Sequence, residues 1–400
     1  MILDKLPENI LNALKACSDT ASKNGIKIYL VGGVVRDLLL NRQTADIDVC
    51  LEFDAIEFAV LLEKSYDVEI LQTQSDLRTA KVKFKNEVVL DLASTRTEAY
   101  PNASHLPVIT GLYCTLNDDI KRRDFTVNSI AISLSSGTFG QIVDYLSGQK
   151  DLDNKKLRIL HDKSFTDDPS RIIRALKYSV RLNLELEETT NFLMEEYLNN
   201  LPENICYSRI MAEIKLAFNY DCKLSLKKFL QWRLERLFNV QNVFYSLDLS
   251  EAFEKLNIIS EPFTYFLSIF TDLDKDNLNK IFDTLNLDGR NKKILSDYLK
   301  LKNYTIVKEK IDIYNKFFTK EQNAIALYYA KTGNNDALLY KRELENIKIE
   351  VCGDDLIVMG IEPSKQFRTI LNDVLKEKLE GRLQTKADEI NFIKNYIKNS

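Results

Sequence analysis

Two aspartates separated by one residue are the first feature of this 400-residue chain that points to chemistry. Asp46 and Asp48 stand at the start of a short apolar run, Ile47 to Leu51, which predicts a β-strand. Residues i and i+2 of a strand point to the same face, so the two carboxylates are expected to lie side by side. A pair of Mg²⁺ ions would relieve their repulsion and build a phosphoryl-transfer site. The alternative is a solvated strand end, because so short a motif often occurs by chance.

A glycine pair shortly before the aspartates strengthens the chemical interpretation. Gly32-Gly33 ends the apolar run Ile26 to Val31 and is followed by Arg36 and a helical segment. Glycines at a strand-to-helix turn let backbone N–H groups approach a phosphate, and the helix N-terminus and the arginine add positive potential. A glycine pair alone predicts only a turn. Followed by an arginine and then by an aspartate pair, it predicts a site for nucleotide phosphates.

A third carboxylate is available on another predicted strand. Asp91 lies within Val88 to Ala93, on the face opposite Leu90 and Leu92. From there it could join Asp46 and Asp48 as a ligand of the same metals. The alternative is an exposed strand aspartate.

A basic run, Lys121-Arg122-Arg123, is predicted to open a helix. Cations at a helix N-terminus oppose the helix dipole, which indicates a bound anion such as a triphosphate. The alternative is a solvated basic turn.

The longest helical stripe in the chain begins just after Asp168. Pro169 fits the first helical position, so Asp168 has a structural explanation as the N-cap. Arg171, Arg174 and Lys177 then step along one side of the helix, where three cations gain nothing from each other. They need an anionic or polar partner, which is either a substrate or a row of carboxylates elsewhere in the fold.

The elements that must position these residues change character along the chain. Short strands and helices alternate up to residues 140–155, and helical stripes follow. This pattern predicts an α+β fold, with a small mixed-sheet head followed by an all-helical neck, body and tail. We expect the head at residues 1–150, the neck at 151–220, and the body and tail at 221–400. Residues 94–119 are predicted to form a long loop.

Composition narrows the class of protein. The formal net charge of −4 argues against a nonspecific nucleic-acid coat, so an RNA-binding face would need local basic clusters. Six dispersed cysteines indicate a reduced, cytoplasmic protein, and two histidines leave little basis for a histidine-based zinc site. The chain lacks an apolar run long enough for a membrane span, and no obligatory protein partner is evident.

Read together, these segments resemble the class II tRNA nucleotidyltransferases and bacterial poly(A) polymerases, within the DNA polymerase beta-like superfamily. The matching segments are LVGGVVRDLLL…DID, RRDFTVNSIAI, DYLSGQKDLDNKKLRIL and DDPSRIIRALKYSVRL, with a weaker match at CYSRIMAEIKLAF. The resemblance covers residues 26–220 firmly and residues 350–395 loosely. It implies a polymerase beta-like head, Mg²⁺ as the cofactor, CTP and ATP as substrates, and tRNA as the partner.

The resemblance also implies roles for individual residues. Asp46 and Asp48 would bind Mg²⁺, while Gly33, Arg36 and Arg123 would hold the nucleotide. Asp168 and Arg171 would read the edge of the base, with Arg174 and Lys177 supporting them and the triphosphate. The sequence departs from the family where Lys177 replaces an arginine, Asp167 replaces a glutamate, and Ser208 stands where the fifth motif commonly has a glutamate.

The expected function is therefore addition of CMP, AMP or both to the 3′ end of tRNA by two-metal phosphoryl transfer. Three alternatives stay open at this point: an enzyme that adds only CC or only A, a poly(A) polymerase, and an inactive tRNA-binding protein. The segment Glu98 to Val108 favours the first of them. The intact aspartate pair argues against the last, because a binding module does not need paired metal carboxylates.

Overall fold

The structure is a computed structural model that describes residues 2–43, 46–101, 107–240, 248–304 and 309–399. The chain separates into two compact units, Met1–Tyr220 and Asp221–Ser400. A further division of the first unit into head and neck at residue 150 stays a prediction.

A mixed β-sheet forms the centre of the first unit. Within the described residues it contains seven strands in the order β3-β4-β5-β2-β1-β8-β9, with β2 and β5 parallel and the other neighbours antiparallel. The expected mixed-sheet head is therefore confirmed. The strands of the unit are β1 (Ile28–Val31), β2 (Asp48–Leu51), β3 (Val68–Gln74), β4 (Thr79–Phe84), β5 (Val89–Ser94), β6 (Arg96–Ala99), β7 (Val108–Leu112), β8 (Ala131–Ser133), β9 (Ile142–Val143), β10 (Lys156–Leu157) and β11 (Glu185–Leu186).

Helices cover the sheet and continue beyond it. The core between sheet and helices includes Leu14 of α1, Phe58 of α3 and Leu90 of β5, all fully buried. Asp54 caps α3, since its side chain accepts from the backbone N–H groups of Ile56 and Glu57. The helices of the unit are α1 (Glu8–Lys23), α2 (Gly33–Leu39), α3 (Ala55–Ser65), α4 (Leu116–Ile120), α5 (Gly148–Asp153), α6 (Ser164–Asp167), α7 (Ser170–Leu182), α8 (Glu188–Asn199) and α9 (Tyr207–Tyr220).

The long loop predicted for residues 94–119 is wrong. This segment contains the β6–β7 hairpin and α4, with residues 102–106 outside the described residues. The hairpin has no buried apolar face that would reveal it in the sequence, and Thr97 and Thr110 pair across it through their hydroxyls at 2.9 Å. Its strands are held by backbone and polar contacts instead of hydrophobic alternation.

The second unit is helical throughout its described ranges. An aromatic cluster holds its first part, with Phe266 packed edge-on against Phe229, Phe238 and Phe270. A separate apolar cluster around Val374 and Ile393 holds its end, where Gly381 takes the left-handed conformation expected of a residue that terminates a helix. The helices are α10 (Cys222–Gln231), α11 (Leu249–Lys255), α12 (Pro262–Leu267), α13 (Lys275–Thr284), α14 (Gly289–Lys302), α15 (Lys310–Phe317), α16 (Gln322–Thr332), α17 (Asn335–Leu339), α18 (Gly353–Val358), α19 (Lys365–Leu379) and α20 (Lys386–Asn399).

The all-helical character expected after the head has one small exception, because β10 and β11 form a two-residue parallel pair beside α7. Across the described ranges, no helix combines the length and the apolarity needed to cross a membrane.

Candidate active site

One cleft of about 1430 Å³ in the first unit collects the predicted site residues. It lies at the ends of β1, β2 and β5 and is bounded by α2, α7 and α9. Residues that are far apart in sequence therefore share one surface, although their roles stay predictions. The predicted residues that line it are Gly33, Arg36, Asp46, Asp48, Asp91, Arg123, Asp168, Arg171, Arg174 and Lys177.

The carboxylates meet where β2 lies between β1 and β5. Asp48 is in register with Asp91 on β5 and with Val31 on β1, immediately before the glycine pair. The pKa of Asp48 is raised, first by burial and then by repulsion from Asp91 and Asp46. Asp91 is less enclosed and forms an ion pair with Lys81 at 3.1 Å.

This arrangement fits a divalent cation held by Asp46 and Asp48. Hard cations bind carboxylate oxygens, and a cation between the aspartates would offset the repulsion that raises the pKa of Asp48. Within the described residues, no group of three or more histidine, cysteine or acidic side chains is gathered closely enough to hold a metal by itself. The remaining ligands of a hexacoordinate ion would therefore come from water and from nucleotide phosphates, as is usual for Mg²⁺.

The glycine pair brings backbone directly against the Asp48 carboxylate. Gly32 has φ +78°, and a Cβ at this position would lie 3.3 Å from Asp48 Oδ2. A side chain there would require both a strained backbone and a displaced carboxylate. Gly33 begins α2, so the turn exposes helix N–H groups at the edge of the cleft.

Arg36 is buried, whereas an arginine that binds phosphate at an open turn would be exposed. The residue is 2% exposed, and its guanidinium donates to Asp37 Oδ1 at 2.7 and 2.9 Å and to Asn128 Oδ1 at 2.6 Å. Asp37 in turn accepts from Arg181 at 2.8 Å. Arg36 therefore anchors α2 to the rest of the cleft, in addition to any contact with a nucleotide.

The prediction that the basic run opens a helix is wrong. Lys121, Arg122 and Arg123 follow the C-terminus of α4, where cations agree with the helix dipole. Asp119 accepts from both arginines, and their charges hold its pKa below the ordinary value although burial acts to raise it. The anion that we expected beside these cations is thus Asp119, a residue of the protein itself, and not a bound triphosphate. Thr115 caps α4 by accepting from the backbone N–H of Asp118.

Arg123 still has donor capacity in the cleft. Its Nη2 donates to Asp119 at 2.9 Å, whereas its buried Nε finds no hydrogen-bond acceptor among the described residues. A bound anion would supply that acceptor.

Asp168 is held on both of its oxygens. Oδ1 accepts from the backbone N–H and the hydroxyl of Ser170 at 3.1 and 2.6 Å, which is the capping contact expected at the start of α7. Oδ2 accepts from Arg209 Nη2 at 2.6 Å and lies 4.0 Å from Arg171 Nε. The side chain thus has a structural task and also faces the cleft.

The cations of α7 were expected to face either a substrate or a row of carboxylates. In the structure, Arg174 and Lys177 pair with carboxylates. Arg174 donates to Asp124 Oδ2 at 2.5 and 2.8 Å and to Glu213 at 2.8 Å. Lys177 donates to the other oxygen of Glu213 at 2.5 Å. Burial acts to raise the pKa of Asp124, but Arg174 and Asn128 hold it below the ordinary value.

Tyr178 lies among these cations. Its ring centroid is 5.1 Å from the guanidinium carbon of Arg36, 5.7 Å from that of Arg174 and 5.2 Å from Lys177 Nζ. Its hydroxyl accepts from Arg174 at 3.1 Å, and Phe125 packs edge-on against the ring. The ring therefore separates three like charges while attracting each of them.

The predicted set lacks Asp124, Tyr178 and Arg209, which line the cleft, and Glu213, which pairs with the cleft cation Arg174. Arg209 and Glu213 are spaced i, i+4 on α9, and α9 packs beside α7. A charged i, i+4 pair on a mainly apolar helix is the signal that would have indicated them.

We expect Asp168→Ala to change both stability and nucleotide choice. Loss of the contacts to Ser170 should cost about 1 kcal/mol of unfolding free energy, the usual value for a lost cap. Asp168→Asn keeps an acceptor for Ser170 but loses the charge, so its melting temperature should stay closer to wild type. If both variants keep the discrimination against UTP and GTP, Asp168 has only the capping task.

Comparisons with known proteins agree with this geometry. Residues 28–158 match the poly A polymerase head domain. An A-adding tRNA nucleotidyltransferase from Geobacter sulfurreducens is 28% identical over 96% of this chain and 47% of its own length. The protein of that name from Halalkalibacterium halodurans is 28% identical over 98% of this chain and 94% of its own length. A CCA-adding enzyme from Lactobacillus helveticus is 32% identical over 58% of this chain and 56% of its own length.

The chain thus spans about half the length of two of these relatives and nearly the whole of the other. Among solved structures, an apo form of a CCA-adding enzyme shares the fold with a TM-score of 0.83 at 24% identity, covering 99% of this chain and 98% of that chain. The resemblance indicated by the sequence motifs is therefore confirmed. Residues 28–158 carry the poly A polymerase head domain, and the chain is similar to proteins named A-adding tRNA nucleotidyltransferase and CCA-adding enzyme.

Proposed function

We propose that this protein transfers CMP, AMP or both from CTP and ATP to the 3′ end of tRNA and releases pyrophosphate. The observation that carries the proposal is the meeting of Asp46 and Asp48 with the glycine turn in one cleft. Burial, and then repulsion from neighbouring carboxylates, raises the pKa of Asp48, and the backbone of Gly32 lies against its side chain. A cation and a phosphate chain fit between these features.

Mg²⁺ is the proposed cofactor, with Asp46 and Asp48 as its protein ligands. When bound, it would lower the pKa of the attacking 3′-hydroxyl and neutralise charge on the phosphoryl oxygens. Asp91 is in register with Asp48, but its ion pair with Lys81 favours a supporting role in charge balance.

The chain's own residues would position the nucleotide. The N–H groups at the start of α2 and the unpaired Nε of Arg123 would donate to the triphosphate. Asp168 and Arg171 would contact the base edge at the far end of the cleft. Arg174 and Lys177 would act mainly through Asp124 and Glu213, because those carboxylates already accept hydrogen bonds from both cations.

The decisive experiment offers the purified protein three tRNA transcripts, ending at the discriminator base, at C and at CC, with each labelled NTP in turn. Addition of C, C and A in order supports full CCA synthesis. Labelling of only the CC-ending transcript by ATP supports an A-adding enzyme, which is the name of two relatives matched over nearly the whole of this chain. Long A tails would indicate a poly(A) polymerase, and no labelling would contradict the proposal.

The tRNA body is proposed to contact the second unit. Lys223, Lys227 and Lys228 lie on α10, where the first two are exposed. A second basic group at Arg290, Lys292 and Lys293 is a weaker candidate, because Arg290 pairs with Glu261 and Lys293 with Asp297. A cytoplasmic location, expected from the dispersed cysteines, also belongs to this proposal.

Replacing the three α10 lysines with serine should weaken tRNA binding at low salt, with a smaller effect at high salt. Each lost phosphate contact should lower the slope of log K against log salt concentration by about one. Serine at Lys15, Lys23 and Lys64, which are exposed on α1 and α3, provides the charge-matched control. Equal binding by the two triple variants would remove α10 from the RNA-binding surface.

A further inference from the structure

A row of polar side chains crosses the β-sheet on the face that forms one side of the cleft. Asp48 on β2 is in register with Asp91 on β5, and Asp91 is in register with Lys81 on β4. Lys81 is in turn opposite Gln72 on β3, and all four residues line the cleft. The row therefore leads from the carboxylates to the outermost strand of the sheet. The sequence motifs assign no role to its outer half, Lys81 and Gln72.

A β-bulge in β3 places Gln72 in this row. Ile70 is opposite Val82, and the next pair is Gln72 with Lys81, so Leu71 is an extra residue in β3. Without the bulge, Leu71 would stand opposite Lys81. Bulges are common next to active sites, where they redirect a side chain. Here the bulge gives the row a polar amide instead of an apolar side chain.

Lys81 is a counter-ion of the carboxylates. It is the one cation among the described cleft residues of β3, β4 and β5, and its Nζ lies 3.1 Å from Asp91 Oδ1. Burial and the neighbouring carboxylates raise the pKa of Asp48, and the charge of Lys81 opposes this rise. Both partners of the ion pair are 42% exposed. Ion pairs with this exposure contribute little to stability, so Lys81 can change partners at a small cost.

The geometry of phosphoryl transfer brings an RNA phosphate to this side of the cleft. In-line transfer requires the attacking 3′-hydroxyl and the departing pyrophosphate to lie on opposite sides of the reacting phosphorus. In the proposed function, the triphosphate lies against the start of α2, which follows β1. Strands β1 and β5 lie on opposite sides of β2 in the sheet. The RNA 3′ end would therefore approach over β5 and β4, where its last backbone phosphate meets Lys81.

We propose that Lys81 is a positioning residue that exchanges Asp91 for the backbone phosphate next to the 3′ end of the RNA. This inference rests on the proposed function. The exchange holds the RNA end beside the aspartate pair, with the amide of Gln72 as a second donor. It also releases the negative charge of Asp91, which then helps to balance a divalent cation held by Asp46 and Asp48.

The RNA side of the exchange is tested by equilibrium binding at a fixed Mg²⁺ concentration. The two probes are a tRNA transcript ending at CC and the same transcript cut back to the last paired nucleotide of its acceptor stem. Lys81→Gln should weaken binding of the first about threefold to fivefold, the range of an exposed charge pair. The slope of log K against log salt concentration should fall by about one. Binding of the shortened transcript should not change, and Lys81→Arg should restore wild-type binding.

The metal side is tested without RNA, from the Mg²⁺ concentration at which half of the rise in melting temperature is reached. Lys81→Gln should lower this concentration about threefold, because a positive charge near the divalent cation is removed. Asp91→Asn should raise it, and it should bind the CC-ending transcript at least as tightly as wild type, because Lys81 is then free. A damaged fold would not weaken RNA binding and strengthen Mg²⁺ binding in the same variant.

Lys83→Gln is the matched control. Lys83 lies two residues further along β4 on the same face, pairs with Glu87 and lies outside the cleft. Both measurements should match wild type. The proposal is overturned if Lys81→Gln binds the CC-ending transcript like wild type, if it loses as much affinity for the shortened transcript, or if it needs more Mg²⁺ than wild type.

Binding is measured without turnover, so this inference and the proposed function fail separately. A protein that shows the Lys81 effect on the CC-ending transcript alone but labels no tRNA keeps this inference and loses the proposed function. A protein that labels tRNA normally and whose Lys81→Gln variant binds both transcripts like wild type keeps the function and loses the exchange.

Discussion

Asp48→Asn is expected to lower the rate of nucleotide addition by more than about a thousandfold, because it removes a charge that the cation would require. Asparagine has nearly the same shape and relieves the repulsion from Asp46 and Asp91. The fold should therefore survive, with a melting temperature no lower than that of wild type. Single-turnover addition to a tRNA transcript measures the first effect, and calorimetry measures the second. Asp46→Asn should behave alike.

Mg²⁺ supplies a readout of this prediction that does not depend on turnover. A ligand that binds only the folded state raises its stability, so Mg²⁺ should raise the melting temperature of wild type and not of Asp48→Asn. Asp67→Asn, which removes an exposed head carboxylate paired with Lys85, is the matched control and should respond like wild type. Normal turnover by Asp48→Asn would contradict the metal assignment.

The second large effect is expected on stability, from Asp124→Ala. Asp124 is 7% exposed and accepts two hydrogen bonds from Arg174, so its removal leaves a largely buried guanidinium with Glu213 as its remaining carboxylate. Removing one partner of a buried ion pair typically costs about 3–5 kcal/mol. Calorimetry should show this loss. Asp124→Ala combined with Arg174→Met should be less destabilised than the sum of the single variants, because the unpaired charge is gone.

The same carboxylate gives a pH dependence with a definite sign. Its pKa is lower in the folded protein than the value of about 3.9 expected of an unfolded aspartate. The stabilisation is therefore complete above about pH 4 and is lost as the pH falls through the folded-state pKa. The stability difference between wild type and Asp124→Ala should shrink on acidification below pH ~4. A constant difference across this range would mean that Asp124 is not the titrating partner of Arg174.

The sequence was sufficient to predict the strands β1, β2 and β5 and many of the residues that line the cleft. Apolar runs with clear periods predicted β1, β2 and α7, and the motif residues follow directly from the ends of those elements. The β6–β7 hairpin was not predicted, because polar contacts hold its strands together and its sequence lacks apolar alternation.

Other features of the site depended on contacts that are distant in sequence. Nothing near Arg174 in the chain identifies Asp124 and Glu213 as its partners, since a single sequence carries no pairing information. The wrong prediction for the basic run could have been avoided. Thr115 and Asp118 have the spacing of a helix capping box, and this signal places the start of α4 before the cations.

The ring of Tyr178 has a consequence for the electrostatic field of the cleft. Arg36, Arg174 and Lys177 are already paired with Asp37, Asp124 and Glu213, and a further carboxylate among them would add another negative charge. The quadrupole of an aromatic ring attracts cations while carrying no net charge. The ring thus adds an attraction to each cation without adding negative charge at this wall. In an acidic chain this limits the repulsion that a polyanion meets within about one Debye length of the cleft.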